Sequence, residues 1–188
     1  MTAFGAIAIA CALGFVAHVN DARASSSVDR PGVDEEGKAD TLSNSDRAFL
    51  REAAIGGLFE VQLGQAVAQK ATRDDVRKFA VHMVSDHSKG NKALADLAQR
   101  KGYTELPTKL DEEHAKQMDE ILKLGGAELD AKYVSTMVQD HEDDVDAFSH
   151  AKDAADDADV RDFAGKALPM LQEHLKSIRA IRQKMQSK

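Results

Sequence analysis

Two histidines lie in matching surroundings in this chain. One ends the stretch Phe79-Ala-Val-His-Met-Val-Ser-Asp-His87, and the other ends Tyr133-Val-Ser-Thr-Met-Val-Gln-Asp-His141. In a helix of 3.6 residues per turn, each histidine falls in the middle of the apolar face. A polar ring at a core-facing position breaks the amphipathic pattern, and its occurrence twice indicates a shared chemical role.

Two further polar residues fall on apolar helix faces. Glu60 lies among small and apolar residues, and His174 lies among leucines near the end of the chain. Together with His87 and His141, they give one inward polar residue for each predicted long helix, near its middle. Helices of similar length align their midpoints when they pack, so the four side chains are expected to converge at one level. Asp144, one turn after His141, also faces inward.

Three imidazoles with one or two carboxylates are typical ligands of a first-row transition metal: Zn, Fe, Cu or Mn. We therefore predict a metal site and leave the identity of the metal open. The alternative is a metal-free cluster in which the same groups hydrogen-bond to one another, because buried polar groups need partners. The predicted ligands are Glu60, His87, His141, Asp144 and His174.

An acidic residue precedes each of the three inward histidines. Neighbours along a helix point about 100° apart, so these acids cannot easily join the same set of ligands. They either orient a ligand on a neighbouring helix or solvate the helix flank, and we expect the second. The three acids are Asp86, Asp140 and Glu173. The remaining histidines, predicted to be solvated, are His18, His82, His114 and His150.

The elements that hold these residues are predicted to be helices throughout. Aromatic residues are few, tryptophan is absent, and Ala, Lys, Asp and Leu are frequent, as in all-α proteins. Apolar periodicity and helix-breaking residues predict four long helices and a shorter one in the connection between the second and third. The long helices span about 46–71, 72–102, 128–152 and 160–185, and the shorter one spans 111–124.

An internal repeat relates the two halves of this helical region. Asp-Val-Arg-Lys-Phe-Ala at 75–80 recurs as Asp-Val-Arg-Asp-Phe-Ala at 159–164. The same offset relates Asp46 to Asp130 and Glu60 to Asp144. Two similar hairpins joined by a long crossover place helices two and three parallel, so we predict an all-α, ferritin-like four-helix bundle.

The N-terminal part of the chain has a different composition. Residues 1–24 are largely apolar and end in Ala-Arg-Ala, which predicts a cleaved signal peptide, a flexible linker at 25–44 and the bundle domain at 45–186. The alternatives are a retained anchor or a lipoprotein attached through Cys11. Cleavage would remove the single cysteine and indicates a periplasmic or extracytoplasmic protein. The net charge of −7, with no basic helix face, argues against nucleic acid as a partner.

Residues 46–185 resemble a bacterial family of domains of unknown function, number 4142, whose members are exported and often named as outer-membrane proteins. The matching residues are Phe49, Glu60, Phe79, Ala80, Met83, Asp86, His87, Tyr133, Val134, Asp140, His141, Glu142, Phe163, Ala164, Leu168, Pro169, His174 and Leu175. The resemblance implies a ferritin-like fold and brings no agreed activity. Many ferritin-like proteins carry Glu-x-x-His pairs, but the residues three before the inward histidines are Val84, Val138 and Leu171. A ferritin-type di-iron centre is therefore not expected.

Three functions follow from these patterns. The first is an exported bundle that binds a transition metal for metal buffering or stress protection. The second is a metal-dependent oxidoreductase, the only enzyme class considered, although no catalytic motif is present. The third is a metal-free structural or interaction module whose polar core fixes helix register. The oligomeric state is left open.

Overall fold

The computed structural model describes residues 40–187, which form helices and connecting turns without any strand. The helices are α1 (Asn44–Lys70), α2 (Asp74–Lys101), α3 (Glu112–Leu122), α4 (Gly126–Ala154) and α5 (Ala158–Gln186). This confirms the all-α prediction, and the predicted helix ends differ from the observed ones by only a few residues. The predicted signal peptide and residues 25–39 of the predicted linker lie outside the described residues.

Local capping explains several of these helix ends. The Ser43 hydroxyl accepts a hydrogen bond from the Asp46 amide at the start of α1. Asp111 and Asp157 accept comparable bonds at the starts of α3 and α5. Gly102 ends α2 with a φ of 74°, a left-handed conformation that glycine adopts without a steric penalty.

Two helical hairpins, α1–α2 and α4–α5, make up the bundle, with α2 beside α5 and α1 beside α4. Lys101 Nζ lies 2.8 Å from Asp157 Oδ2, so α2 ends where α5 begins. Asp130, near the start of α4, contacts the turn before α2, so α2 and α4 begin at the same end of the bundle. The predicted parallel arrangement and long crossover are therefore confirmed. The crossover carries α3, which lies against α1 and α4.

Two buried aspartates join the hairpins reciprocally. Asp46 of α1 accepts hydrogen bonds from the amides of Asp156 and Asp157, at 3.1 and 2.9 Å. Asp130 of α4 accepts bonds from the amides of Thr72 and Arg73, at 3.2 and 2.9 Å. In the internal repeat, Asp46 corresponds to Asp130, and residues 72 and 73 correspond to residues 156 and 157, so the two sets of contacts are equivalent. Each half of the repeat thus caps the interhelical turn of the other half, which fixes the ends of the bundle.

Apolar side chains fill the bundle on both sides of its middle. One group surrounds Phe59, Met83 and Tyr133, and others surround Leu97 and Phe148 towards the opposite end. The polar residues predicted to face inward lie between these groups. Within residues 40–187, no helix is both long and apolar enough to cross a bilayer.

Candidate metal centre

Each long helix contributes one buried polar side chain to the middle of the bundle. Glu60 comes from α1, His87 from α2, His141 from α4 and His174 from α5. Their exposed fractions are 1%, 5%, 0% and 1%. The structure therefore brings together the four residues that the sequence placed at one level.

The three imidazole rings converge on a common point. His87 Nε2 lies 3.3 Å from His174 Nδ1, and His141 Nε2 lies 3.4 Å from the same atom. One ligand nitrogen from each ring lies within 4.8 Å of the other two. An ion bound tetrahedrally at about 2.0–2.1 Å holds its nitrogen ligands about 3.3–3.4 Å apart. The two separations from His174 Nδ1 match that spacing.

The nitrogens on the far sides of two rings contact hydrogen-bond acceptors. His87 Nδ1 lies 2.5 Å from Glu60 Oε2. His141 Nδ1 lies 3.0 Å from the Met137 carbonyl oxygen. A carbonyl oxygen can only accept, so His141 carries its proton on Nδ1 and presents a lone pair on Nε2. Such outward hydrogen bonds are characteristic of metal-binding histidines.

The third ring is oriented by a carboxylate on another helix. His174 Nε2 lies 3.3 Å from Asp86 Oδ2. Burial opposes ionisation of Asp86, but hydrogen bonds from Lys89 and His174 outweigh it, so the pKa of Asp86 is lowered. Asp86 therefore accepts the Nε2 proton, and His174 presents a lone pair on Nδ1. This lone pair faces the lone pair of His141 across 3.4 Å, where two neutral rings cannot form a hydrogen bond.

The Glu60–His87 pair carries too few protons to give every contact in a metal-free cluster a hydrogen bond. Burial raises its pKa well above the usual value, so Glu60 and His87 form a neutral pair with two protons. Two protons can serve only two of the three contacts Glu60–His87, His87–His174 and Glu60–His141, so one contact stays without a proton. Glu60 Oε1, 3.4 Å from His141 Nε2, has no hydrogen-bond partner among the described residues. An unpaired buried acceptor costs about 1–3 kcal/mol.

The rings are in the protonation state that metals require. Burial lowers the pKa of His87. Burial, reinforced by the neighbouring rings, lowers the pKa of His141 to about 3. Burial and the His87 ring likewise lower the pKa of His174 to about 4. All three are neutral at neutral pH and can donate nitrogen lone pairs to an ion.

Asp144 does not join the group of mutually close ligand atoms that the three rings form. It lies half-buried beside a cavity of about 30 Å³ that Glu60 and His87 also line. Burial, followed by the charges of Glu60 and Asp140, raises its pKa well above the usual value. The repeat offset maps Glu60, His87, His141 and His174 onto Asp144, Leu171, Gly57 and Gly90, and these four all line the cavity. The cavity is thus the repeat-related counterpart of the histidine site, with glycine and leucine in place of the rings.

The acids that precede the histidines differ in what they do. Asp86 orients His174 on the neighbouring α5, which is the alternative that the sequence favoured less. Glu173 is exposed and lies 3.2 Å from Lys176. Asp140 has a buried Oδ2 without a partner among the described residues, and burial raises its pKa to about 8. The different roles of these three acids depend on how the helices pack against one another.

Two histidines predicted to be solvated make specific contacts. His82 is 59% exposed, yet its Nε2 lies 3.2 Å from Asp86 Oδ2, one helical turn away. His114 is half-buried, contacts Asp111 at 2.8 Å and packs its ring 5.5 Å from that of Phe59. The spacing of His82 and Asp86, four residues apart, was the available sequence signal for the first contact. His150 is exposed as predicted, and His18 lies outside the described residues.

Two solved structures share this fold. A DUF305 fragment from Deinococcus radiodurans has a TM-score of 0.66 at 12% identity, covering 76% of this chain and 98% of that one. The "putative secreted protein DUF305" from Streptomyces coelicolor has a TM-score of 0.61 at 11% identity, covering 73% and 91%. At these identities the likeness shows the fold alone. Among curated proteins, none matches this chain.

A family profile described as "Domain of unknown function (DUF4142)" matches residues 32–181. The matched range contains all four residues of the histidine cluster. The resemblance in the sequence is therefore confirmed, although the comparisons give no support to an outer-membrane location. The chain belongs to the DUF4142 family of domains of unknown function.

Proposed function

We propose that this protein binds a first-row transition-metal ion between His87 Nε2, His141 Nε2 and His174 Nδ1, and that it sequesters or buffers the metal outside the cytoplasm. The observation that carries the proposal is the 3.4 Å contact between His141 Nε2 and His174 Nδ1 in a buried site, where acceptors on the far side of each ring leave both nitrogens without a proton. A cation between them removes the conflict, and an ion also engages the third ring.

Glu60 supports such an ion through His87. Its Oε2 accepts the Nδ1 proton, which fixes the ring orientation and increases the electron density on Nε2. The carboxylate charge offsets part of the charge of the metal. Oε1, which is otherwise unpaired, lies on the side of His141 and is available to the fourth coordination position.

Burial favours retention of metal over turnover of a substrate. The three rings are at most 5% exposed, so a substrate of ordinary size cannot reach an ion held among them. An oxidoreductase needs an open coordination position and a route for its substrate. Buffering needs only exchange of the ion, so it is the function that this geometry supports better.

Export of the protein is part of the proposal. It rests on the apolar stretch and the Ala-Arg-Ala sequence within residues 1–24. The fold is also found in a protein named as a secreted one. Outside the cytoplasm, a site built from imidazoles has the advantage that it does not depend on reduced thiols.

The competing function is a metal-free structural module in which the cluster only specifies helix register. Elemental analysis separates the two. Protein purified without an affinity tag and exposed in turn to Zn, Cu, Mn and Fe(II) is expected to retain about one ion per chain, as a single three-histidine site requires. His141→Ala should lose the tightly held ion of the three-histidine site, and the exposed His150→Ala control should keep it. Wild-type protein that retains none of the four metals would overturn the proposal.

A further inference from the structure

A second group of potential ligands adjoins the buried cluster. Asp86 Oδ2 lies 3.2 Å from His82 Nε2 and 3.3 Å from His174 Nε2. One ligand atom from each of these three residues lies within 4.8 Å of the other two. The His82 side chain is 59% exposed and that of His174 is 2% exposed, so the group leads from solvent to the buried site.

This group lies where the bundle is open. The crossover helix α3 lies against α1 and α4 on the other side of the molecule. Between α2 and α5 runs a cleft of about 430 Å³ whose lining includes Asp86, Gly90 and Ala167. The cleft shares Gly90 and Ala167 with the small cavity beside Glu60 and His87. The α2–α5 side is therefore the short route from solvent to the histidines.

We propose that His82, Asp86 and His174 form an outer site that takes a divalent transition-metal ion from solvent and delivers it to the buried site. This inference rests on the proposed function. His174 belongs to both sites, since its Nε2 faces Asp86 and its Nδ1 faces His87 and His141. While an ion occupies the outer site, the ring carries its proton on Nδ1, and the proton returns to Nε2 when the ion moves to Nδ1.

Dehydration of the ion is the physical reason for such an intermediate site. A hydrated divalent ion cannot enter a dry core without losing water, and loss of all its water at once is costly. An exposed imidazole and a carboxylate replace the first waters one at a time. Lys89 Nζ holds Asp86 Oδ1 at 3.0 Å, which leaves Oδ2 directed at the two rings.

Occupation of both sites by ions at the same time is energetically unfavourable. An ion on each nitrogen of His174 would remove the last proton from that ring and place two cations on it. The outer site is therefore transient in the intact protein. It should hold an ion at equilibrium only when the inner site has been broken.

Uptake kinetics test this inference, with Co²⁺ as the probe because its visible spectrum reports its ligands. His82→Ala is expected to slow uptake about tenfold or more, because the exposed imidazole that first replaces water on the ion is gone; outer-shell groups change metal affinity by a similar factor. Its final stoichiometry should equal that of the wild type, because the inner site keeps all three rings. The matched control is His150→Ala, an exposed histidine on α4, which should take up Co²⁺ at the wild-type rate.

Equilibrium binding gives a second readout. His141→Ala should retain weak Co²⁺ binding at the outer site, and adding His82→Ala should abolish it. Unchanged uptake in His82→Ala, or residual binding in His141→Ala that does not depend on His82, would overturn the outer site while leaving the proposed function intact. A wild type that binds no Co²⁺ or other metal would instead overturn the proposed function and the outer site with it.

Discussion

His141 Nε2 lies 3.4 Å from His174 Nδ1, and the other nitrogen of each ring is engaged by an acceptor on the protein. Neither facing nitrogen therefore carries a proton when the rings are neutral. Burial lowers both pKa values, so protonation does not resolve this contact near neutral pH. A metal ion between the two nitrogens would resolve it.

Metal binding should release a proton near neutral pH. In the metal-free protein the raised pKa of Glu60 keeps two protons on the Glu60–His87 pair, and an ion on His87 Nε2 displaces one of them. His141 and His174 are already neutral and release none. Affinity for Zn²⁺ should rise about tenfold per pH unit while the pair holds that proton.

Glu60→Gln should bind Zn²⁺ more weakly, and its affinity should not change with pH. Calorimetry in buffers of different ionisation enthalpy measures the released proton, and its absence would contradict this scheme.

Asp140→Asn should stabilise the metal-free protein more at high pH than at low pH. Burial raises the folded-state pKa of Asp140 to about 8, so the folded state holds a proton that the unfolded state loses above about pH 4. Stability from this group is present below the unfolded pKa and is lost as the pH rises towards 8. The gain on substitution should be about 1–3 kcal/mol larger at pH 8 than at pH 5 in urea unfolding. Asp146→Asn, exposed and on the same helix α4, is the control and should show no such difference.

The two reciprocal aspartates should matter equally for stability. Each is at most 1% exposed and accepts amide hydrogen bonds from the turn of the opposite hairpin. Asp46→Ala and Asp130→Ala should each lower the free energy of unfolding by roughly 2–4 kcal/mol, because buried amides lose a charged acceptor. The exposed Asp119→Ala should change it little. A marked difference between the two core variants would argue against the repeat as the organising unit of the bundle.

Replacement of His87 should affect two properties at once. His87→Ala leaves Glu60 buried without its partner, so unfolding should become easier by about 2–4 kcal/mol. Metal affinity should also fall at least about 100-fold, since one of three nitrogen ligands is gone. A metal-free cluster predicts the loss of stability alone. Thermal unfolding and Zn²⁺ titration of the same preparation distinguish these outcomes, with His150→Ala as the control.

The sequence predicted the helices and the inward position of Glu60, His87, His141 and His174 because a buried helix face follows a period of 3.6 residues. It could not predict that Asp86 would orient His174. That contact depends on how α2 and α5 rotate against each other, and the periodicity within one helix does not specify this rotation. His82 is exposed as predicted, and its contact with Asp86 was indicated by their four-residue spacing within α2.

Asp144 shows a different limit. Its inward direction was predicted, but direction on one helix does not tell which half of the core a side chain enters. The repeat held the missing information, because it relates Asp144 to Glu60 and relates Gly57 and Gly90 to histidines of the cluster. Each half of the repeat has an inward carboxylate, Glu60 in one and Asp144 in the other, but the histidines surround only Glu60. This pattern indicates one histidine site and, in the repeat-related position, one cavity.

A crystal structure of the metal-loaded, untagged protein, with anomalous scattering measured at the absorption edge of the metal, tests the central claim most directly. The expected result is a single ion about 2.0–2.2 Å from His87 Nε2, His141 Nε2 and His174 Nδ1, with Glu60 still bonded to His87 Nδ1. An ion bound elsewhere, or no ion while the three rings keep their present contacts, would contradict it.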